Sequence, residues 1–183
     1  MAAGDKEITL VARVKNPSSN YGATFSYRFE IAVMPNSQMA DFYGRASIPP
    51  QREKYIVVPG VDLDYRDTQG VNLLIDNLEW NRPPSGEASE DSVTLRYETN
   101  ISGETVTVAG LLSNKGAGQL KNVRLTAILF NKEGEVIQAS TTTLDQVRAF
   151  TDRSFTVYFP RGKTLMQEVD VRKTLVFWDA PQE

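Results

Sequence analysis

The feature that most constrains this chain is an internal repeat with an offset of 98 residues (178 − 80, for example). At this offset apolar positions of one half fall on apolar positions of the other: Ile8, Leu10, Ala12 and Val14 on Val106, Val108, Gly110 and Leu112. Three further pairs mark the repeat: Asn16 and Asn114, Trp80 and Trp178, and Pro83 and Pro181. Because the chain has only two tryptophans, their match in register indicates two copies of one module.

Strict alternation of apolar and polar residues predicts half-buried β-strands in both copies. The predicted strands are 7–15, 24–33, 42–48, 53–59 and 70–80, then 92–98, 104–113, 121–131, 135–143, 152–159 and 168–178. Residues 34–41 are predicted to hold one short helical turn, and Gly134 supplies the positive φ of a hairpin turn. This pattern predicts an all-β fold of two tandem immunoglobulin-like antiparallel β-sandwiches.

The repeat also places the domain boundaries. We expect a first sandwich at 1–82, a polar linker at 83–91 and a second sandwich at 92–183. The strand at 92–98 has no counterpart in the first copy, because the equivalent positions would precede residue 1. We therefore expect the first sandwich to lack its leading strand, either because it is naturally shorter or, as we favour, because the sequence is a fragment that begins inside the domain.

Composition excludes several classes of active site. The chain has no cysteine and no histidine, so it holds no disulfide, no thiolate nucleophile, no Cys-based zinc site and no Ser-His-Asp triad. The net charge of −3 gives no electrostatic reason to expect nucleic acid or an anionic membrane surface. No apolar run reaches the roughly 18–20 residues of a membrane span. We expect neither an enzyme nor a cofactor.

Short motifs in both copies resemble a known family. Asn114-Lys115-Gly116 and the run from Leu120 to Asn131 resemble the FxLYD-type immunoglobulin-like domains of bacterial and archaeal envelope proteins, with Leu129-Phe130-Asn131 where Leu-Tyr-Asp is usual. The first copy, with Val14-Lys15-Asn16-Pro17, looks like the companion domain in membrane-anchored hypothetical proteins of Patescibacteria. The resemblance implies an extracytoplasmic, non-enzymatic envelope module, attached to the membrane only through an anchor outside this chain.

Two acidic clusters are weak candidates for calcium, which prefers oxygen ligands. Asp62, Asp64 and Asp67 lie in one loop, but their spacing does not match the EF-hand and Arg66 lies among them. A solvated loop is the favoured interpretation, and we expect no bound metal. A second group of acidic residues, at 87–91, lies in the linker and is expected to serve only its solvation.

Aromatic residues offer a candidate binding surface on the first copy. Exposed aromatics are frequent in binding sites, although Tyr is also common in ordinary strands. Trp80 and Trp178 could be platforms for sugar or peptide, but a packing role at a strand end is favoured for both. The residues that would form the surface if they shared one face are Tyr21, Phe42, Tyr43, Tyr55 and Tyr65.

These observations favour a structural or protein-interaction module of a bacterial cell envelope. Its partner would be a protein or another envelope component, bound by exposed aromatics or by addition of a strand to a free sheet edge. The strands at 92–98 and 135–143 are the predicted edges, and the missing leading strand could expose another in the first copy. The alternative is a carbohydrate-binding or enzyme-accessory β-sandwich.

Overall fold

The computed structural model describes residues 7–33, 38–63, 68–82, 92–103, 105–159 and 169–179. The chain divides into two compact units, Met1–Ser85 and Gly86–Glu183, which we call unit 1 and unit 2. All strand pairs in the described residues are antiparallel. The helix in these residues is one 3-10 turn, Val171–Lys173, so the predicted all-β class is confirmed.

Unit 1 contains five strands in two sheets. They are β1 (Glu7–Lys15), β2 (Gly22–Val33), β3 (Gln38–Ile48), β4 (Glu53–Asp62) and β5 (Thr68–Asn81). One sheet has the order β1-β4 and the other β3-β2-β5. Their inward side chains form one core, because alternate residues of a strand point to opposite faces of its sheet. The buried core residues come from both sheets: Leu10, Ala23, Phe25, Phe29, Ile31, Ala46, Ile48, Ile56 and Val61.

Unit 2 contains six strands in two sheets. They are β6 (Val93–Ser102), β7 (Thr105–Asn114), β8 (Leu120–Phe130), β9 (Val136–Val147), β10 (Thr151–Phe159) and β11 (Leu175–Asp179). The orders are β10-β7-β6 and β11-β8-β9, which places the predicted edge strands β6 and β9 at sheet edges. Both sheets contribute to one core: Val93, Val106, Val108, Leu112, Val123, Leu125, Ala127, Leu129, Val147, Phe155, Val157, Phe159 and Val176. Each unit is therefore a β-sandwich.

The two units share a strand order that follows the 98-residue repeat. In unit 1, β1 pairs with β4 and β2 lies between β3 and β5; in unit 2, β7 pairs with β10 and β8 lies between β9 and β11. Strand β6 is the additional element, and it pairs with β7 on the side away from β10. In the described part of unit 1, no strand pairs with β1 on the corresponding side.

Two predicted segments differ from the structure. The short helical turn at 34–41 is wrong for Gln38 onward, where the chain is strand β3 paired with β2; residues 34–37 lie outside the described residues. The last strand was predicted from 168, but it begins at Leu175. Asp170 caps a 3-10 turn before it by accepting a hydrogen bond from the Arg172 amide, which takes this stretch out of the extended conformation.

The tryptophans are not equivalent in strand register, which corrects the sequence match. Trp178 lies opposite Leu125, whose counterpart at an offset of 98 is Tyr27. Tyr27 lies opposite Ile75, whereas Trp80 lies further along β5, opposite Ala23. The partners of Tyr27 and Leu125 differ by 103 residues (178 − 75) rather than 98, so five more residues precede this point of β11 than precede the matching point of β5. Pro83 and Pro181, the other half of this marker, lie outside the described residues.

Candidate functional site

The core-facing side of β5 is unusually exposed. Val71 and Ile75 lie opposite Ile31 and Tyr27 of β2, on the side of the sheet that faces the core, and Leu78 and Trp80 continue this row beyond the bulge. These four side chains are 43–50% exposed, although Ile31 beside them is completely buried. We call them the open face of unit 1. An apolar row on the inner side of a sandwich is normally covered by the opposite sheet, and in the described part of unit 1 no strand covers this one.

Unit 2 shows what covers the equivalent surface. The residues that match Val71 and Ile75 in strand register are Thr174, which lies just before β11 and is 8% exposed, and Trp178, which is half-buried against the core. Strand β6 lies over the start of β11, where the Tyr97 hydroxyl donates to the Thr174 carbonyl at 3.2 Å and the Thr99 and Thr174 hydroxyls are 2.8 Å apart. The Val71 end of the open face therefore corresponds to the position that β6 closes in the other unit.

The neighbouring edge of β1 is also without a partner among the described residues. Strand β1 pairs with β4 from Lys15 and Glu53 to Glu7 and Asp62, with one irregularity near Ile8. On its other side the backbone groups face away from β4, and they have no strand to pair with in the described part of unit 1. A free edge presents a row of N–H donors and C=O acceptors that can bind an extended peptide.

One end of the open face is aromatic and positively charged. Ser18, Tyr21 and Trp80 line a shallow depression, and the Arg82 guanidinium lies 6.0 Å from the centre of the Tyr21 ring. A guanidinium over an aromatic ring is attracted by the negative face of the ring. Tyr21 and Trp80 remain 40% and 50% exposed, so both rings are accessible to a ligand.

Asn16 holds the loop that carries Tyr21. Its side-chain nitrogen donates to the carbonyls of Tyr21 at 2.8 Å and of Ile48 and Pro49 at 3.1 Å, and its oxygen accepts from the Ser18 amide at 2.9 Å. The buried amide therefore ties the β1–β2 loop to the β3–β4 loop. The role of Asn16 in the repeat is structural, and it sets the position of one wall of the depression.

Asn114 makes the same set of bonds in unit 2. Its side-chain nitrogen donates to the carbonyls of Gly118 at 2.8 Å, Arg148 at 3.2 Å and Val147 at 3.3 Å, and its oxygen accepts from the Gly116 amide at 3.0 Å. The match of Asn16 with Asn114 in the sequence thus reflects one shared structural device, in contrast to the match of the two tryptophans.

The predicted aromatic surface does not form on one face. Phe42 packs against the core of unit 1. Tyr43 is exposed on the outer side of the β3-β2-β5 sheet, whereas Tyr55 lies opposite Arg13 on the outer side of the β1-β4 sheet. Tyr21 lies at the loop end, and Tyr65 lies outside the described residues. Because side chains alternate along a strand, neighbouring aromatics in the sequence separate onto different surfaces.

Tyr43 belongs instead to a small polar cluster on the outer sheet surface. Its hydroxyl donates to the Asp41 carboxylate at 2.9 Å, and the Arg28 guanidinium lies 6.0 Å from its ring centre. Arg28 also forms an ion pair with Glu30 at 2.6 Å. A hydrogen bond with Tyr43 and the nearby carboxylates raise the pKa of Arg28, which keeps the guanidinium charged. Tyr43 is exposed whereas the side chains of Arg28 and Glu30 are 32% and 21% exposed, so the cluster is a partly solvated surface network.

The calcium prediction falls mostly outside the described residues. Asp62 is an exposed residue at the end of β4, and Asp64, Asp67 and the acidic linker residues are not described. Within the described ranges, no three acidic side chains come close enough together to hold a metal ion. No helix in the described part of the chain is long and apolar enough to cross a membrane.

Sequence reasoning missed the open face. The run Val71-Asn72-Leu73-Leu74-Ile75 was assigned to an ordinary strand, with no indication that its inner side is uncovered. A signal was available in the combination of two observations. The strand is unusually rich in large apolar residues, and the strand at 92–98 of the second copy has no counterpart in the described part of the first.

Comparison with protein-family models and with curated proteins finds no match. Among solved structures, the chain is similar to red sea bream transglutaminase, with 14% identity and a TM-score of 0.33 over 96% of this chain and 27% of that one. It is also similar to a Bacteroides uniformis β-glucuronidase, with 12% identity and a TM-score of 0.28 over 96% of this chain and 26% of that one. The chain thus spans about a quarter of each protein, and likenesses this weak carry no functional conclusion.

Proposed function

We propose that this chain is a non-catalytic protein-interaction module made of two tandem immunoglobulin-like sandwiches. The observation that carries the proposal is the open face of unit 1, where four large apolar side chains are 43–50% exposed beside an edge of β1 that no described strand pairs with. Large apolar side chains that are exposed together along one strand mark a site of interaction. The strand order that unit 2 shares with unit 1 supports the tandem arrangement.

We also propose that the module belongs to an extracytoplasmic part of a bacterial cell envelope. Support comes from the absence of cysteine, which suits export, and from the resemblance to FxLYD-type envelope domains carried by Asn114-Lys115-Gly116 and the run from Leu120. The non-catalytic character rests on the same sequence, which offers neither histidine nor cysteine for general base or nucleophilic chemistry.

Site-specific photo-cross-linking in the host tests the proposed function. A benzophenone amino acid at Leu78, on the open face, is expected to give a discrete protein adduct that mass spectrometry identifies. The same residue at Tyr158, which is 67% exposed on unit 2, is the control and is expected to give none. Equal adduct patterns from both positions, or no protein adduct from Leu78, would contradict a specific protein partner at this face.

Carbohydrate binding is the second candidate, and the depression beside the open face favours it. Tyr21 and Trp80 expose their rings there and Arg82 lies beside them, a combination that can stack on a sugar and donate hydrogen bonds to it. A glycan array with the wild-type chain and with Trp80→Ala decides between the candidates. Binding that Trp80→Ala removes and Phe150→Ala, at an exposed position of unit 2, retains would favour the sugar.

A further inference from the structure

We propose that unit 2 binds an acidic sugar residue in a depression on the outer surface of its β10-β7-β6 sheet, which we call the unit 2 depression. Its volume is about 350 Å³, and sites for small ligands have volumes of roughly 300–1,000 Å³. The inference does not depend on the open face, because all the residues concerned belong to unit 2. The side chains that line the depression are those of Thr94, Arg96, Ser113, Lys115, Phe150 and Asp152.

Strand register places polar side chains from three adjacent strands side by side. Ser113 of β7 lies opposite Thr94 of β6 and Asp152 of β10. Because the neighbouring Leu112 is buried in the core, Ser113 and its two partners point to the outer surface of the sheet. Arg96 follows Thr94 by two residues on β6 and therefore shares this surface.

Phe150 supplies an aromatic wall from the turn between β9 and β10. It has a φ of 57° and is 73% exposed. The corresponding residue of unit 1 is Gln51, which follows Ile48 as Phe150 follows Val147 and has a φ of 55°, so the left-handed conformation belongs to the turn. A bulky residue is unfavourable in this conformation, and an exposed ring gains little from packing. The presence of Phe at this position therefore indicates a role in binding.

Hydrogen bonds hold the turn that carries Phe150. The Arg148 carbonyl accepts from the Asn114 side chain at 3.2 Å and from the Thr151 hydroxyl at 2.9 Å. Asn114 also donates to the Val147 carbonyl at 3.3 Å, which ties the turn to the end of β7. The backbone that presents the ring is thus fixed before a ligand binds, which lowers the entropic cost of binding.

The carboxylate of the depression lacks the ion pairs that its counterpart makes in unit 1. Glu53 matches Asp152 in strand register. The Glu53 carboxylate lies 3.5 Å from Nε of Arg13 and 3.9 Å from Nζ of Lys15. At the offset of 98, unit 2 has an uncharged leucine and an uncharged serine in place of these two cations. The same surface of the two units therefore differs in charge pairing.

The cations of the depression are also unpaired. Neither Arg96 nor Lys115 nor Asp152 forms an ion pair with another residue in the described ranges. Two cations and one carboxylate give the depression a net charge of +1 (2 − 1), although the whole chain carries −3. An unpaired guanidinium binds a carboxylate with two hydrogen bonds, and an ionised Asp accepts hydrogen bonds from hydroxyl groups.

An acidic sugar is the ligand class that uses all of these groups. Its carboxylate would bind Arg96 and Lys115, its hydroxyls would donate to Asp152, and the apolar face of its ring would pack on Phe150. A neutral sugar would leave both cations without a partner. A small inorganic anion would make no use of the aromatic ring and would be repelled by Asp152.

Titration of the complete 183-residue chain with acidic sugars, followed by amide chemical shifts, tests the proposal. The probes are the trisaccharides of galacturonate, glucuronate and mannuronate, each compared with its methyl ester, which keeps the rings and hydroxyls but has no charge. We expect at least one of the acids to give saturable shifts around Arg96, Ser113 and Phe150. Its ester should bind at least about tenfold more weakly, because the charge-assisted hydrogen bonds are lost.

Matched protein variants locate the site. Arg96→Gln should weaken binding at least about tenfold. Arg153→Gln removes the same charge from an exposed residue of β10 that lies opposite Leu112, on the other side of the sheet, and should leave the affinity unchanged.

Phe150→Gly separates a binding role from a packing role. It should weaken binding at least about tenfold, yet it should not lower the free energy of unfolding of unit 2, because Gly adopts a positive φ without strain. A clear loss of stability would show that the ring is needed for folding and would contradict the argument from Phe150. Binding at this site should survive Trp80→Ala, which distinguishes it from the sugar binding considered for unit 1.

Three outcomes would overturn the inference, and each leaves the cross-linking test at Leu78 of the open face unaffected. Absence of shifts around the depression with all three acids at about 10 mM removes acidic-sugar binding. Equal binding of an acid and its ester shows that the cations do not recognise the ligand. Tighter binding of inorganic phosphate or of AMP than of every uronate assigns the depression to a phosphate ligand.

Discussion

Replacement of Asn114 by Ala should destabilise unit 2 and leave unit 1 almost unaffected. Asn114 is only 2% exposed, and its side-chain nitrogen has three carbonyl oxygens within 3.3 Å. The nitrogen carries two hydrogens, so one of them is shared between two acceptors. With the bond accepted from the Gly116 amide, the side chain makes about three full hydrogen bonds at about 1 kcal/mol each, so the expected loss is about 3 kcal/mol.

The two tryptophans allow each unit to be followed separately by fluorescence. In a Trp80→Phe background Trp178 reports on unit 2, and in a Trp178→Phe background Trp80 reports on unit 1. In urea unfolding, Asn114→Ala should lower the free energy of unfolding only in the Trp80→Phe background. Asn16→Ala should lower it only in the Trp178→Phe background. Asn100→Ala removes an exposed amide of β6 and serves as the control. A loss below about 1 kcal/mol for Asn114→Ala would refute the reasoning.

The variant Asn114→Asp tests the direction in which the stability of unit 2 changes with pH. Its carboxylate would face the carbonyl oxygens of Gly118, Val147 and Arg148, and both burial and these dipoles would raise its folded-state pKa above the unfolded value. A raised pKa of an acid destabilises the folded state at high pH, and the penalty disappears as pH falls through the folded pKa. The stability difference between Asn114→Asp and wild type should therefore shrink on acidification; a difference that grows would contradict the buried environment.

Two further predictions concern local packing and charge. Gly110→Ala should destabilise unit 2 by about 1–3 kcal/mol, because the new Cβ would meet the Arg96 carbonyl, whereas Gly118→Ala, which has open space around it, should be nearly neutral in the same urea assay. Asp170 should titrate below its ordinary pKa of 3.8, because the side chain and the amide of Arg172 donate to its carboxylate. The ionised carboxylate therefore stabilises the folded state above 3.8, and this stabilisation is lost as pH falls through the folded pKa. Carboxyl NMR of wild type and Arg172→Ala checks the second prediction, and a wild-type midpoint at or above 3.8 would contradict it.

The strands could be predicted from the sequence because their signal is local. Alternation with a period of two depends only on neighbouring residues, and the predicted strand 7–15 coincides with β1. The predicted strand 152–159 differs from β10 by one residue. The 3-10 turn at Val171–Lys173 could not be found in this way, because alternating apolar residues at 169 and 171 imitate a strand where Asp170 instead caps a turn.

Strand register could not be predicted because it depends on partners far away in the sequence. Trp80 and Trp178 match at an offset of 98, but the strands that pair with β2 and β8 match at an offset of 103 (178 − 75), and a bulge in β5 lies between Ile75 and Trp80. Asn77, which has a φ of 50° beside this bulge, is a residue type that tolerates the left-handed region. Nothing in the local sequence shows whether such an Asn forms a bulge inside a strand or ends it.

Exposure of a strand face is likewise a property of the whole sandwich. Alternation shows that Val71, Leu73 and Ile75 share one face of β5, but not whether another strand covers that face. Leu73 packs against the core, while its neighbours on the same side remain exposed. The exposure of Val71 and Ile75 accompanies a narrow opposite sheet. Among the described residues that sheet has two strands in unit 1 and three in unit 2.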